Sequence, residues 1–227
     1  AKLAFELVRP GMAIALMGGS SVYALAKLLK DFPGITIVTN SVPVSDLLAQ
    51  NPRADQTVVL TGGVRTPTDS LVGNITAEVI SRFNLDVVFM GTRGMDSEFG
   101  FSSPNLVESE TNREVLKRSQ KCVVLADHTK WGVRGFSSFA SFEQADVVIV
   151  EQANRHLLNY WLLWRRQHRD FRLVFWGHGF NHQATPGLWS FCKEYYKKLF
   201  EVMRGDTLLK EVLHRKILLI HQYLKNV

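Results

Sequence analysis

The sequence has few cysteines and no long apolar run. Its 227 residues include two cysteines, Cys122 and Cys192, which are too few for a disulfide framework. No apolar stretch approaches the roughly 18–20 residues that a membrane-spanning helix needs. The N-terminus lacks the basic start, apolar middle and small-residue cleavage site of a signal peptide. We therefore expect a cytoplasmic protein with no membrane partner, in which Cys122 is a small core residue within a strand.

The composition changes near residue 151. Residues 1–151 contain 14 Lys and Arg against 16 Asp and Glu, whereas residues 152–227 contain 13 against 5. The second segment also holds six of the seven histidines and four of the five tryptophans. This change predicts two domains, an ordinary globular domain over 1–151 and a basic, aromatic-rich tail over 152–227.

Short apolar runs alternate with helical patterns in the first segment. The runs are rich in Val, Ile, Leu and Met without strict alternation, as in strands buried on both faces of a parallel sheet. The pattern predicts an α/β fold, a three-layer Rossmann-like parallel sheet with right-handed crossovers, followed by a mainly helical tail. The predicted strands are 12–17, 35–39, 57–61, 86–91, 122–126 and 146–150, and the predicted helices are 21–31, 42–50, 74–83 and 105–119.

The first predicted helix, 21–31, follows two serines. Ser20 or Ser21 is expected to cap it, because a serine hydroxyl accepts a hydrogen bond from the N–H groups of the first turn. Its apolar spacing predicts one buried side, formed by Val22, Leu25, Leu28 and Leu29.

Small polar residues follow five of the apolar runs. Because the carboxyl ends of parallel strands meet at one edge of a sheet, these turns predict a crevice lined by backbone N–H groups and hydroxyls, which suits a small anionic ligand. For any one turn alone, a plain tight connection between strand and helix is an equally good interpretation. The turns are Gly18-Gly19-Ser20-Ser21, Thr39-Asn40-Ser41, Thr61-Gly62-Gly63, Gly91-Thr92-Arg93-Gly94 and Asp127-His128-Thr129-Lys130.

The turns belong to a longer series of motifs that is similar to a known family. In chain order the motifs are GMAIALMGGSS (11–21), TNSVPV (39–44), LTGGVR (60–65), LVGNITAE (71–78), FMGTRGMD (89–96), GFSSPNLVE (100–108) and VVLADHTKWG (123–132). In this order residues 11–150 resemble the effector-sensing domain of DeoR-family bacterial transcription regulators.

The resemblance implies a fold of the sugar-phosphate isomerase and CoA transferase type, and a domain that senses a phosphorylated sugar with no cofactor and no metal. The first turn would hold the phosphate and Lys130 would supply positive charge, whereas Asp127 would order its own loop. Glu108 is interpreted equally well as a ligand contact or as an acid that stabilises a helix N-terminus. The implied ligand-binding residues are Gly19, Ser20, Ser21, Thr39, Asn40, Ser41, Gly62, Gly63, Gly91, Thr92, Gly94, Glu108 and Lys130.

The chain departs from the family pattern in three ways. Met17 stands where the family often has an acid, and Arg93 stands where it often has an acid or an amide. No basic recognition helix precedes residue 11, and residues 1–8 are interpreted as a remnant of a linker. The resemblance therefore implies a repressor-type sensor that reaches DNA only through a helix-turn-helix outside this sequence, and that forms a homo-oligomer.

Two other functions remain open from the residues. A sugar-phosphate isomerase on the same fold would need a carboxylate base over the carbon that loses a proton, and Glu108 is the one evident candidate. A plain oligomerisation or interaction module is the other alternative.

The tail carries weaker signals. Residues 172–183 resemble a stretch in the N-terminal half of some GT-B glycosyltransferases, but the donor-nucleotide half is lacking, so glycosyl transfer is not expected. His178 and His182 have a spacing that metal ligands use, yet no third ligand follows, and a loop or core role is favoured. Helices are predicted over 154–168, 188–202 and 208–224, and a strand over 173–176. The basic end of the first of these helices is read as an ordinary amphipathic face rather than a nucleic-acid or membrane surface.

Overall fold

The computed structural model describes residues 1–152 and 172–177. The helices in this part of the chain are α1 (Lys2–Phe5), α2 (Ser20–Leu29), α3 (Val42–Ala49), α4 (Asn74–Ser81) and α5 (Leu106–Lys117). The strands are β1 (Ala13–Leu16), β2 (Ile35–Thr39), β3 (Gln56–Leu60), β4 (Val64–Arg65), β5 (Leu71–Val72), β6 (Val87–Gly91), β7 (Gly94–Asp96), β8 (Gly100–Ser103), β9 (Cys122–Ala126), β10 (Ser137–Ala140), β11 (Val147–Gln152) and β12 (Arg172–Gly177).

Seven strands form one sheet in the order β12-β11-β9-β6-β1-β2-β3, and every pair is parallel. All six strands predicted for the first segment are present, with bounds within two residues of the prediction. The strand order reverses at β1, with β2 and β3 on one side and β6 and β9 on the other. Loops that leave two neighbouring strands in opposite directions at such a reversal open a crevice at the carboxyl edge of the sheet.

Side chains from both faces of the sheet are buried. Ile14 and Leu16 of β1 pack into the cluster that contains the apolar side of α2, whereas Ala15 and Met17 belong to the cluster on the other face. Because both faces of the sheet are covered, the strand sequences are continuous apolar runs and do not alternate between apolar and polar residues. This arrangement confirms the predicted three-layer α/β fold.

Two small antiparallel units on the fold were not predicted. Strands β10, β8 and β7 form a three-stranded sheet, and β4 and β5 form a two-stranded hairpin. Phe101 of β8 packs on Phe142 with 4.5 Å between ring centroids, which anchors the small sheet to the core. The strands of these units are two to four residues long and therefore too short to show a period of two.

Three local predictions for the N-terminal part were wrong. Leu28 is 38% exposed, because it lies at the edge of the apolar side that buries Val22, Leu25 and Leu29. The cap of α2 is Gly19, so Ser20 and Ser21 are already within the helix and make no capping hydrogen bond. Residues 1–8 pack on the core through α1 and the residues after it, so they are part of the folded domain rather than a remnant of a linker.

The second segment contributes one described strand. The strand predicted over 173–176 is present as β12, which pairs with β11 along its whole length. The boundary proposed at residue 151 therefore falls at the end of β11, and the division into two domains stays a prediction. The helices expected over 154–168, 188–202 and 208–224, and the pair His178 and His182, lie outside the described residues. Among the described helices, none is long and apolar enough to cross a membrane.

Cys122 is buried at the start of β9, as predicted. Burial, together with the nearby carboxylate of Asp146, raises the pKa of the Cys122 thiol to about 12. The thiolate is the reactive form, so we expect iodoacetamide to spare Cys122 in the folded chain at mildly alkaline pH and to modify it in concentrated guanidinium chloride. Mass spectrometry of the peptide containing Cys122 measures this separately from Cys192.

The raised pKa of Cys122 also makes the free energy of unfolding depend on pH. An unfolded chain ionises this thiol near 9.0, whereas the folded chain keeps it neutral until about 12. The contribution of Cys122 to the free energy of unfolding therefore falls as the pH rises between those values. Equal alkylation rates in folded and unfolded chains would contradict the burial of this residue.

Candidate functional site

The turns after β1 and β6 meet at the strand reversal. A Cβ atom added to Gly91 would lie 3.4 Å from the carbonyl oxygen of Gly18, and one added to Gly19 would lie 3.6 Å from the Cα of Gly91. The two turns therefore approach each other backbone to backbone, with little room for side chains between them. Two of the five predicted turns are thus in direct contact at the expected edge of the sheet.

The amino end of α2 points its backbone donors into this region. Gly19 caps the helix with a φ of 134°, a conformation that glycine adopts readily. The first N–H groups of an α-helix have no partner within the helix, and its dipole favours a negative charge there. Ser20 is exposed and Ser21 is partly exposed, and neither hydroxyl has a hydrogen-bond partner within the described residues. Donors arranged in this way at a helix N-terminus are of the kind that binds anions in other proteins.

Asn40 joins the first turn to the β4–β5 hairpin. Its Oδ1 accepts a hydrogen bond from the Gly18 N–H at 3.0 Å, and its Nδ2 donates to the Leu71 carbonyl at 3.0 Å. The Leu71 N–H donates in turn to the Asn40 carbonyl at 2.7 Å. With 4% of its surface exposed, Asn40 acts as a structural bridge between the two loops.

The neighbours of Asn40 are also used internally. The Thr39 hydroxyl donates to the Leu16 carbonyl at 2.6 Å and accepts from the Ser41 N–H at 3.0 Å. Ser41 is buried and forms a bridge with Ser70 of the hairpin. Contact between these three residues and a ligand stays a prediction, since their described hydrogen bonds hold the loops in place.

The hairpin itself is the part of the site that sequence reasoning missed. Its turn is closed by the Thr66 N–H, which donates to the Ser70 carbonyl at 2.8 Å, and by the ion pair between Arg65 and Asp69. A Cβ atom on Gly18 would collide with the Ser70 hydroxyl, so the hairpin lies directly against the first turn. The run Thr66-Pro67-Thr68-Asp69-Ser70 has the composition of a tight turn, and this was the available signal.

The third turn packs closely on α4. The Thr76 hydroxyl donates to the Gly62 carbonyl at 2.7 Å, and a Cβ atom on Gly63 would lie 2.7 Å from the Val72 carbonyl oxygen. Gly62 and Gly63 therefore allow the chain to pass between α4 and the hairpin. These contacts do not test the prediction that Gly62 and Gly63 lie next to a ligand.

The fourth turn continues into the small sheet. The Thr92 hydroxyl donates to the Gly94 carbonyl at 2.6 Å, and Gly94 is buried against the backbone of Val133. Gly91 lies at the crevice, whereas Gly94 lies within β7 and away from the contact with the first turn. Arg93 is exposed, and its guanidinium has no partner within the described residues.

Glu108 lies on the first turn of α5 and next to the hairpin. Its N–H donates to the Asn105 side chain at 2.8 Å, and its carboxylate accepts from the Thr68 hydroxyl at 3.2 Å. Both interpretations of this residue therefore remain available, since the carboxylate is near a helix N-terminus and near the loops of the crevice. Its described partner is a hairpin residue.

Lys130 lies in the short 3-10 turn that follows β9. It is partly exposed and forms no ion pair with any described residue. The Asp127 carboxylate accepts a hydrogen bond from the Thr129 N–H at 2.8 Å, so this acid orders its own loop as predicted. The described contacts do not join Lys130 to the first turn, although both follow strands of the same sheet edge.

One charge cluster stabilises the small sheet beside the fourth turn. Arg134 forms ion pairs with Asp96 and Glu98, each at 2.9 Å. Burial acts to raise the pKa of Asp96, but hydrogen bonds from Arg134 and from the N–H groups of Glu98 and Phe99 outweigh it and hold that pKa below its usual range. One guanidinium faces two carboxylates here, so the cluster keeps one net negative charge on the small sheet.

Comparison with known proteins assigns the family. The family model described as the DeoR C terminal sensor domain matches residues 1–152. The regulator GolR of Listeria innocua is 36% identical over 152 residues, which are 66% of this chain and 59% of that protein. The putative aga operon transcriptional repressor of Escherichia coli O157:H7 is 25% identical, over 67% of this chain and 56% of that protein.

A third relative is named the glycerol-3-phosphate regulon repressor, from Escherichia coli K12. It is 26% identical over 147 residues, which are 64% of this chain and 58% of that protein. The chain thus spans 56–59% of the length of these three relatives.

Solved structures give a more distant likeness. Ribose 5-phosphate isomerase A of Methanocaldococcus jannaschii is 18% identical, with a TM-score of 0.42 over 57% of this chain and 51% of that chain. The fold assignment therefore rests on the strand order of this chain's own sheet, and the family assignment rests on the sequence match. The chain belongs to the DeoR family of regulators, whose C-terminal sensor domain it contains in residues 1–152.

Proposed function

We propose that residues 1–152 bind a phosphorylated sugar, and that this binding is the sensing step of a transcription regulator of sugar metabolism. The observation that carries the proposal is the amino end of α2, where backbone N–H groups and the hydroxyls of Ser20 and Ser21 lack partners within the described residues. They lie at the strand reversal, where open α/β sheets bind ligands. The name of the glycerol-3-phosphate regulon repressor supports a phosphate ester as the ligand class.

The chemistry of the site suits a phosphate monoester. Such a group carries nearly two negative charges and several acceptor oxygens, so it needs converging donors and a counter-charge. The start of α2 supplies the donors, and we infer that Lys130 supplies the counter-charge, because its ammonium has no other ion pair in the described part of the chain. The sugar hydroxyls would extend toward Gly91, Thr92 and Glu108.

We infer that the domain binds its ligand without converting it. The relatives reported above are named as regulators or repressors. A proton-abstracting base would have to be Glu108, whose carboxylate accepts a hydrogen bond from Thr68. Turnover assays on aldose and ketose phosphates test this, and interconversion that is abolished by E108Q would show an isomerase instead.

Replacing Ser20 and Ser21 together by alanine is expected to weaken sugar-phosphate binding strongly. Hydrogen bonds to charged groups contribute about 1.5–3 kcal/mol each, so the loss should be at least about tenfold in affinity. The melting temperature should change little, since neither hydroxyl caps the helix or bonds elsewhere in the described residues. Isothermal titration calorimetry against ribose 5-phosphate, glucose 6-phosphate, fructose 1-phosphate and glycerol 3-phosphate measures the affinity.

The matched control is S119A. Ser119 lies at the opposite edge of the sheet, where its hydroxyl donates to the Val115 carbonyl within α5. This variant should bind as the wild type does. Normal binding by the double serine variant would show that the phosphate binds at another place. No binding by the wild type at millimolar concentration would refute the proposed ligand class.

A change in DNA binding when the ligand binds would be a property of the full-length regulator. We infer that DNA is contacted through a helix-turn-helix outside this sequence, because the chain spans 56–59% of the relatives reported above. We also infer a homo-oligomer. In support, β3 has a hydrogen-bonded neighbour on one side in the described sheet and Leu60, Val64 and Ile75 nearby are exposed apolar residues.

A further inference from the structure

A hydroxyl group of the hairpin lies beside the open amino end of α2. Ser70 is 8% exposed, and its Oγ fills the space that a side chain on Gly18 would occupy. Within the described residues this hydroxyl has no hydrogen-bond partner, although the Ser70 backbone has two. The oxygen is not fully enclosed and has no protein partner in the described part of the chain, so it is available to a bound molecule.

The backbone of Ser70 is held firmly. Its N–H donates to the Thr66 hydroxyl at 3.2 Å, and its carbonyl accepts from the Thr66 N–H at 2.8 Å. The next residue, Leu71, is bonded through both its N–H and its carbonyl to Asn40. The hydroxyl is therefore positioned by the main chain on either side of it and not by a bond of its own.

The tip of the hairpin is fixed at a second point. The Thr68 hydroxyl donates to the Glu108 carboxylate, and Arg65 pairs with Asp69 at 2.8 Å. The hairpin is thus attached to the first turn at its base and to α5 at its tip. A donor that is held in place in advance binds an anion without a further loss of conformational freedom.

We propose that Ser70 completes the phosphate site, with its Oγ–H donating to one phosphate oxygen while the α2 N–H groups and the hydroxyls of Ser20 and Ser21 hold the others. This inference rests on the proposed function and adds a ligand contact from a distant part of the chain. It makes the site two-sided, with α2 on one side of the phosphate and the hairpin on the other. It also explains why residue 18 has no side chain, because a Cβ there would displace the hydroxyl.

The test is the S70A variant of the full chain, titrated calorimetrically with inorganic phosphate and with ribose 5-phosphate. We expect affinity for both to fall about tenfold or more, which corresponds to one hydrogen bond to a charged group. Because the hydroxyl has no described partner, the melting temperature should stay that of the wild type. S119A is again the control.

The outcomes separate this inference from the proposed function. Wild-type affinity in S70A, with binding lost in the S20A/S21A double variant, would overturn the role of Ser70 and leave the proposed function standing. A wild-type chain that binds neither probe at millimolar concentration would overturn both.

A second variant tests the same contact without removing the hydroxyl. In G18A the new methyl group must push the Ser70 Oγ aside, so phosphate affinity should fall about as far as in S70A. The combined variant S70A/G18A should then bind no more weakly than either single variant, since both remove one interaction. Fully additive losses would show that the two residues act separately and would overturn the proposed contact.

Discussion

The N40A variant should lose about 2–4 kcal/mol of unfolding free energy and, with it, most of its affinity for sugar phosphates. Its amide satisfies the Gly18 N–H and the Leu71 carbonyl, and a buried group left without a partner costs about 1–3 kcal/mol. The first turn and the hairpin would both lose their common attachment. Urea denaturation followed by circular dichroism measures the stability, and calorimetry with ribose 5-phosphate measures the affinity.

Two further variants sharpen this result. N84A removes an exposed asparagine that has no hydrogen bond in the described residues, and it should change stability by less than about 0.5 kcal/mol. N40D keeps the shape of the side chain, but at neutral pH it turns a carboxylate oxygen toward the Leu71 carbonyl. We expect N40D to be the least stable of the three at neutral pH and to recover partly in acid, where the protonated carboxyl again donates. An N40A variant as stable as N84A would contradict the bridging role.

The G94A variant should be destabilised by about 3 kcal/mol or more. A Cβ atom on Gly94 would lie 2.7 Å from the carbonyl carbon of Val133 and 3.1 Å from its Cβ, so backbone would have to move. Overpacking a close contact costs about 1–3 kcal/mol and occasionally more. The small sheet should loosen first. Trp131 packs on Phe142 beside it, but four other tryptophans lie after residue 151, so urea denaturation followed by circular dichroism measures the loss of stability.

The control for this prediction is G11A. Gly11 has a φ of 86°, yet a Cβ atom there meets nothing within 4 Å. Its cost should be limited to backbone strain, about 1 kcal/mol. If G94A and G11A unfold at the same urea concentration, then the contact with Val133 is looser than the structure indicates.

The sequence carried enough information for the main sheet because that sheet is buried on both faces. Runs such as Val87–Gly91 are apolar throughout, and each ends in a small-residue turn that marks the carboxyl edge. The reversal of the strand order at β1 was not predicted from the sequence. The strand order depends on which side of β1 each helical connection places the next strand, and the local residue pattern does not encode this. The hairpin was not predicted because β4 and β5 contain two residues each. The residues that hold it in place, Asn40 and Glu108, are also distant from it in sequence.

Residue type alone did not separate ligand-facing groups from structural ones in the site. Asn40 and Thr39 have the side chains of ligand contacts, yet their polar atoms are used by Gly18, Leu71 and Leu16. Ser70 had no motif to single it out, and its importance comes from packing against a glycine in another loop. The hydrogen-bonding capacity that remains after folding could be found only from the three-dimensional contacts.

The Asn40 bridge has a consequence for genetics. A screen for regulator alleles that ignore their effector should yield two kinds of substitution. On the proposed function, changes at Ser20, Ser21 or Ser70 should give proteins that accumulate normally at every growth temperature. Changes at Asn40 should also be temperature-sensitive, because this side chain holds both the first turn and the hairpin in the folded state. Growth temperature alone would then sort the alleles before any protein is purified.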